Sequence, residues 1–145
     1  MIVPDANLLI YAVDDTSPRH ERARRWLAGV LGGGETVGFA WTVLLAFVRL
    51  TTRAGVSARP LAAEQAFELV EAWLASPLAT IVHPTGRHLA VLRGLLEPLG
   101  TAGNLVGDAH LAALAIEHGA TLASSNTDFV RFRGLRWIDP LAGAA

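Results

Sequence analysis

Short apolar runs alternate with helical stretches along the whole chain, and that alternation leaves few folds open. Ile2-Val3-Pro4, Thr36 to Ala40, Thr80 to His83 and Thr121 to Ala123 read as strands, with Arg136-Trp137-Ile138 a fifth at an edge. The stretches between them carry helical patterns: Leu8 to Val13, Arg19 to Leu31, Trp41 to Thr52, Leu61 to Ala75, Thr85 to about Leu99, and a last helix that Asp108 begins and Gly119 stops. Strands separated by helices must be joined by crossovers. The expected architecture is therefore α/β, a central parallel sheet of four to five strands with helices on both faces. With 145 residues, 52% of them hydrophobic, the chain suits one compact domain over 1–145, with a frayed Gly-Ala tail at 141–145.

Composition removes several chemistries. There is no cysteine, which excludes disulfides, thiolate catalysis and cysteine-ligated zinc. Every one of the 12 cationic side chains is arginine, so mechanisms that need a lysine, such as Walker phosphate loops and Schiff bases, are excluded too. A net charge of −1 argues against a general nucleic-acid coat and confines any such contact to a local arginine patch. No run approaches 18 apolar residues, and Asp5, Asp14 and Asp15 interrupt the first segment. Neither a membrane-spanning helix nor a signal peptide is expected, and the chain reads as soluble and cytoplasmic.

The acids carry the functional signal. Asp5 follows the first strand, while Asn126 and Asp128 follow the fourth, so a parallel sheet brings both groups to its carboxyl edge, where open α/β sheets collect ligands. Asp108 opens the helix that returns to the fourth strand, above Ala112 and Ala115 on an apolar face. Each acid also has a plain structural explanation: Asp5 as a helix cap, Asp108 as a charge favoured by the helix dipole. Three carboxylates in one cleft are another matter. Two such charges about 4 Å apart repel by roughly 4 kcal/mol at an effective dielectric near 20, so a cation is needed among them. An all-oxygen set suits Mg²⁺ or Mn²⁺, and such an ion suits phosphodiester hydrolysis.

The remaining candidates are weaker. Asn7 is placed to orient Asp5, or to cap the helix behind it. Arg49 and Arg53, one turn apart, suit a shared anionic partner, or snorkel from a buried helix that Thr42 caps. Arg19, Arg22, Arg24 and Arg25 form a charged face whose usual meaning is solvation. Glu64, Glu68 and Glu71 make a wet stripe opposite Phe67, Val70 and Leu74. The four tryptophans, Trp26, Trp41, Trp73 and Trp137, fall on apolar faces and suit core packing. His110 lies two residues from Asp108 and within reach of a substrate, though packing is its ordinary role, and His83 and His88 do not make a zinc motif.

At these residues the sequence resembles the PIN-domain ribonucleases, specifically VapC-type toxins of toxin–antitoxin pairs. The resemblance runs through Asp5-Ala6-Asn7-Leu8-Leu9, Trp41 to Leu50, Gly103 to Ala115, and Asp128-Phe129-Val130-Arg131-Phe132. It implies a Mg²⁺- or Mn²⁺-dependent endoribonuclease acting on structured RNA, a homodimer, and inhibition by a cognate VapB antitoxin. It also implies roles. Asp5, Asp108 and Asp128 match the metal-binding, catalytic acids, Asn126 stands where many members have an aspartate, and Ala46 where many have a glutamate. An amide oxygen can still coordinate but brings no charge, which leaves two expectations open: one metal rather than two, or a second sphere that RNA phosphates complete. The alternative is a weakened module that binds RNA or antitoxin without efficient cleavage. A phosphatase of another doubly wound family is disfavoured by the missing lysine.

Overall fold

A computed structural model describes residues 1–143; the last two residues of the expected frayed tail lie outside them. Five parallel strands, β1 (Ile2–Pro4), β2 (Val37–Ala40), β3 (Ala79–Val82), β4 (Thr121–Ala123) and β5 (Arg136–Ile138), form one sheet in the order β3-β2-β1-β4-β5. Six helices connect them: α1 (Ala6–Val13), α2 (His20–Leu31), α3 (Trp41–Thr52), α4 (Ala63–Leu74), α5 (His88–Leu96) and α6 (Val106–Glu117). The α/β architecture and all five strands are those expected. The strand order reverses direction beside β1: the chain first builds outward through β2 and β3, then returns to the other flank through β4 and β5.

Every residue of β1 and β2 is buried, as central strands covered on both faces must be. Val3, Val37, Phe39 and Leu122 are wholly enclosed, and Phe47 and Trp73 meet edge to face at 4.8 Å. Helix α6 is apolar nearly all round: Ala109 and Leu111 to Ala115 are buried, and the alanines let neighbouring elements approach closely. Gly119, at φ 62°, ends it in the left-handed conformation that favours glycine, and Ala120 turns directly into β4.

Several local expectations need correction. Helix α3 starts at Trp41 with Ala40 at its cap position, so Thr42 lies inside the first turn and does not cap. Helix α4 begins at Ala63, two residues late, because Gln65 accepts the Ala62 N–H and sets the start. Phe67 shares the wet side of α4 and is half exposed, while Ala66, Val70 and Trp73 face inward. Trp41 is likewise 48% exposed rather than packed. Helix α5 ends at Leu96 and passes into a 3₁₀ turn at Glu97–Leu99. The expected fraying does not reach Leu141, which is buried, or Ala142, whose carbonyl accepts from Arg22. No helix among the described residues is long and apolar enough to cross a membrane.

Candidate active site

The site grows from the pairing of β1 with β4. Pro4 and Ala123 are register partners at the ends of their strands, and the ladder closes with the Asp5 N–H donating to the Ala123 carbonyl at 2.9 Å. The next residue on each strand is therefore delivered to the same point, the switch in strand order at the carboxyl edge. Those residues are Asp5 and Ser124.

Asp5 caps α1: one carboxylate oxygen accepts the Ala6 N–H at 2.7 Å, and the other accepts the Ser124 hydroxyl at 2.7 Å. Capping and site membership are thus not alternatives here, since one carboxylate does both. Ser124 is completely buried. Its oxygen also accepts from Asn7 Nδ2 at 3.1 Å and from the Asn126 backbone N–H at 3.0 Å. Both lone pairs being taken, its single proton goes to Asp5. Asn7, expected to orient Asp5, does so through Ser124, while its Oδ1 accepts weakly from Ser125 N–H at 3.4 Å.

Asp108 reaches the same cleft from the first turn of α6. Burial pushes its pKa up, and the Asp5 carboxylate opposite, then Asp128, push in the same direction; the Asn126 amide works against them. Burial likewise raises Asp5, opposed by the Ser124 hydroxyl and the Ala6 N–H. Two carboxylates held above their ordinary range by burial, with one raised further by the other, mark a place prepared for positive charge.

Asn126 has a more constrained position than sequence reading anticipated. Its side-chain oxygen accepts the Asp128 N–H at 3.0 Å and caps the 3₁₀ turn Thr127–Arg131, and its Nδ2 donates to Asp108 Oδ2 at 3.3 Å. The oxygen expected at a metal is engaged in capping, and an N–H faces the cleft. Asp128 is half exposed at the rim, its carboxylate 4.0 Å from the Arg131 guanidinium. Among the described residues no group of three or more His, Cys, Asp or Glu side chains converges closely enough to hold a metal ion. The donor set still fits Mg²⁺ or Mn²⁺, hard ions that one or two carboxylates hold while water and substrate phosphate fill the other positions.

The remaining candidates lie elsewhere. His110 turns toward α5, with its Nδ1 2.9 Å from His88 Nε2; His88 Nδ1 in turn meets Glu117 at 2.5 Å, and Glu117 also accepts the Thr85 hydroxyl at 2.6 Å. Thr85 thus anchors Glu117 while its hydroxyl oxygen accepts the N–H of Arg87, the residue before α5, at 3.1 Å. If His88 donates through Nδ1 to Glu117, His110 carries its proton on Nδ1 and donates it to His88. This Glu117–His88–His110 chain was missed, because its members stand 22 and 29 residues apart on different helices. Arg49 and Arg53 are exposed at the far end of α3. Arg24 and Arg25 are tied to Glu21, in keeping with a solvated face. Ser124 was missed too, although the polar run Ser124-Ser125-Asn126 straight after an apolar strand was the available signal.

A family profile described as "PIN domain" matches residues 2–135. The chain is 53% identical over 142 residues to "Ribonuclease VapC37" of Mycobacterium tuberculosis, covering 98% of this chain and 99% of that protein. "Ribonuclease VapC33" of the same species is 43% identical over 141 residues, covering 97% and 99%. Among solved structures, VapBC2 from Rickettsia felis, bound to a DNA fragment from its promoter, aligns with a TM-score of 0.68 at 22% identity, over 95% of this chain and 98% of that one. Mycobacterium tuberculosis VapC20, described as a sarcin-ricin loop cleaving toxin, aligns with a TM-score of 0.64 at 19% identity, over 94% and 99%. At those identities the two structures speak to the fold.

Proposed function

The chain belongs to the PIN-domain family, among its VapC-type ribonucleases, and from that premise we propose that it is a Mg²⁺- or Mn²⁺-dependent endoribonuclease toxin whose ion is held by Asp5 and Asp108. The observation that carries the reading is that Ser124 and Asn126 link these two carboxylates at one sheet edge, and that burial, and for Asp108 the charge of Asp5, holds both above their ordinary pKa. When bound, a divalent ion supplies charge neutralisation at the phosphodiester and a more acidic water. The protein's own part is to hold Asp5 rigid through Ser124 and Ala6, and to place Asp108 on a helix packed into the core. Asp128 stands at the rim, where RNA phosphates arrive. Arg49 and Arg53 are the cationic side chains we assign to a backbone phosphate or to an acidic group of the antitoxin. His110, tied to His88, receives no part in cleavage.

The partners follow from the family. Structural neighbours include VapB–VapC complexes, and we assign this chain a VapB-type antitoxin, a homodimeric state and a structured RNA substrate in the cytoplasm. The test is cleavage of total RNA by the purified chain, with Mg²⁺ or Mn²⁺ and with EDTA. Metal-dependent cutting that disappears in both Asp5→Asn and Asp108→Asn is expected; cutting that persists in both overturns the assignment. A second reading, a module that binds RNA or antitoxin but cuts poorly, draws on the neutral Asn126 amide facing Asp108. Robust EDTA-sensitive cleavage removes it.

A further inference from the structure

Resting on the reading of Asp5 and Asp108 as the ion-holding pair, we propose that the RNA-free protein takes one divalent ion per chain, and that Asn126 is the residue that sets this number. The orientation of the Asn126 amide is decided by its neighbours. Its backbone N–H is held by Ser124 Oγ at 3.0 Å, and its Oδ1 caps the Asp128 N–H at 3.0 Å. Turning the amide over would press an NH₂ group against that N–H, so the NH₂ group must face Asp108 Oδ2, 3.3 Å away. An N–H directed at a carboxylate oxygen occupies one of its lone pairs, and a cation cannot share that approach. Asp108 Oδ2 is thus taken by a neutral donor from the segment after β4, the one side-chain hydrogen bond Asp108 receives among the described residues, while the Asp5 carboxylate acts on it through charge alone.

Charge balance points the same way. Asp5 and Asp108 carry two negative charges, which one divalent ion neutralises. A second ion would have Asp128 as its nearest further acid, and that carboxylate is half exposed with Arg131 4.0 Å away. Replacing the Asn126 amide by a carboxylate would keep the cap on Asp128 through one oxygen and present the other, charged, beside Asp108. That change creates a second acid pair, Asp108 with position 126, in a place that now repels cations.

The probe is MnCl₂ titrated into the full-length, RNA-free protein, read by calorimetry and by the loss of free-Mn²⁺ EPR signal. Wild type is expected to saturate at one ion per chain and Asn126→Asp at two, while Asn126→Ala, which removes the donor without adding charge, stays at one. Melting temperature gives a second readout: Asn126→Asp melts lower than wild type without metal and regains the difference when Mn²⁺ is added. Two ions on wild type, or one on a folded Asn126→Asp, overturns the proposal. The wild-type count decides it alone if Asn126→Asp does not fold. No ion on wild type overturns the ion-pair reading itself, and this proposal with it; one ion that survives in Asp5→Asn and Asp108→Asn together does the same.

Discussion

Ser124 Oγ donates to Asp5 Oδ2 at 2.7 Å while accepting from Asn7 Nδ2 at 3.1 Å, so a single hydroxyl joins the first acid of the site to the segment that carries the rest. Removing it leaves Asp5 with one donor and takes the acceptor from Asn7 Nδ2. An unsatisfied buried polar group costs about 1–3 kcal/mol, and the loss of a group that supports a metal ligand typically costs about 10–100-fold in affinity or activity. Ser124→Ala is expected to weaken Mn²⁺ binding and RNA cleavage within that range. Ser124→Thr, which keeps the hydroxyl, is expected to restore most of both, in a Mn²⁺ titration beside a cleavage assay.

Asp108→Asn should separate stability from activity. The pKa values of Asp5 and Asp108 are raised on folding. Their contribution to stability is therefore full below the unfolded value, about 3.9, and is lost as pH rises through the folded values. Metal-free wild type carries that penalty at neutral pH. The variant removes one charge of the repelling pair and is expected to melt higher than metal-free wild type at pH 7. It loses Mn²⁺-dependent cleavage by at least about 100-fold, roughly 3 kcal/mol of transition-state stabilisation. Thermal melts with and without Mn²⁺ check the first half, and initial cleavage rates the second.

The chain Glu117–His88–His110 should tilt stability the opposite way with pH. Burial, and then His88 beside it, lower the pKa of His110. Burial alone would raise Glu117, but the Thr85 and His88 donors outweigh it and the net shift is downward. Groups depressed on folding contribute stability above their unfolded values, about 6.5 for histidine and 4.3 for glutamate, and lose it as pH falls. Between pH 7.5 and 5.5 urea midpoints of wild type are expected to lose ground against those of His110→Gln, since the carboxylate pair acts alike in both. An unchanged slope in the variant would count against the arrangement.

Gly38→Ala tests the packing behind the site. A Cβ built on Gly38 in β2 would lie 2.7 Å from Val82 Cγ1, 2.9 Å from Met1 Sδ and 3.3 Å from Val3 Cγ2. Overpacking of this kind costs typically about 1–3 kcal/mol. Chemical denaturation should show a loss in that range, with residual cleavage per folded molecule near wild type.

The strands, the helix order and the arrival of Asp5 and Asn126 at one sheet edge were legible because each rests on simple rules: apolar runs of strand length, helix stops such as Gly119, and the convergence of strand ends in a parallel sheet. What was hidden depends on partners remote in sequence. Nothing near Ser124 announces Asp5 or Asn7, and nothing near His110 announces His88. Asn126 was legible as a polar residue at the right edge, but the direction of its amide is decided by the Asp128 N–H and the Ser124 hydroxyl, a matter of three dimensions. Trp41 and Phe67 were misplaced because an apolar side chain says that burial is favourable, without saying that neighbours are present to provide it.

The pairing of the first strand with the fourth also decides when the protein can first act. Asp5 and Ser124 meet across 119 residues of chain. During synthesis Asp5 leaves the ribosome before Asp108, Ser124 and Asn126, and waits without them until β4 has followed. No N-terminal fragment that stops short of residue 124 can assemble the centre. A cell that makes this protein meets its activity only once that chain has been translated past β4, whatever the fate of shorter products.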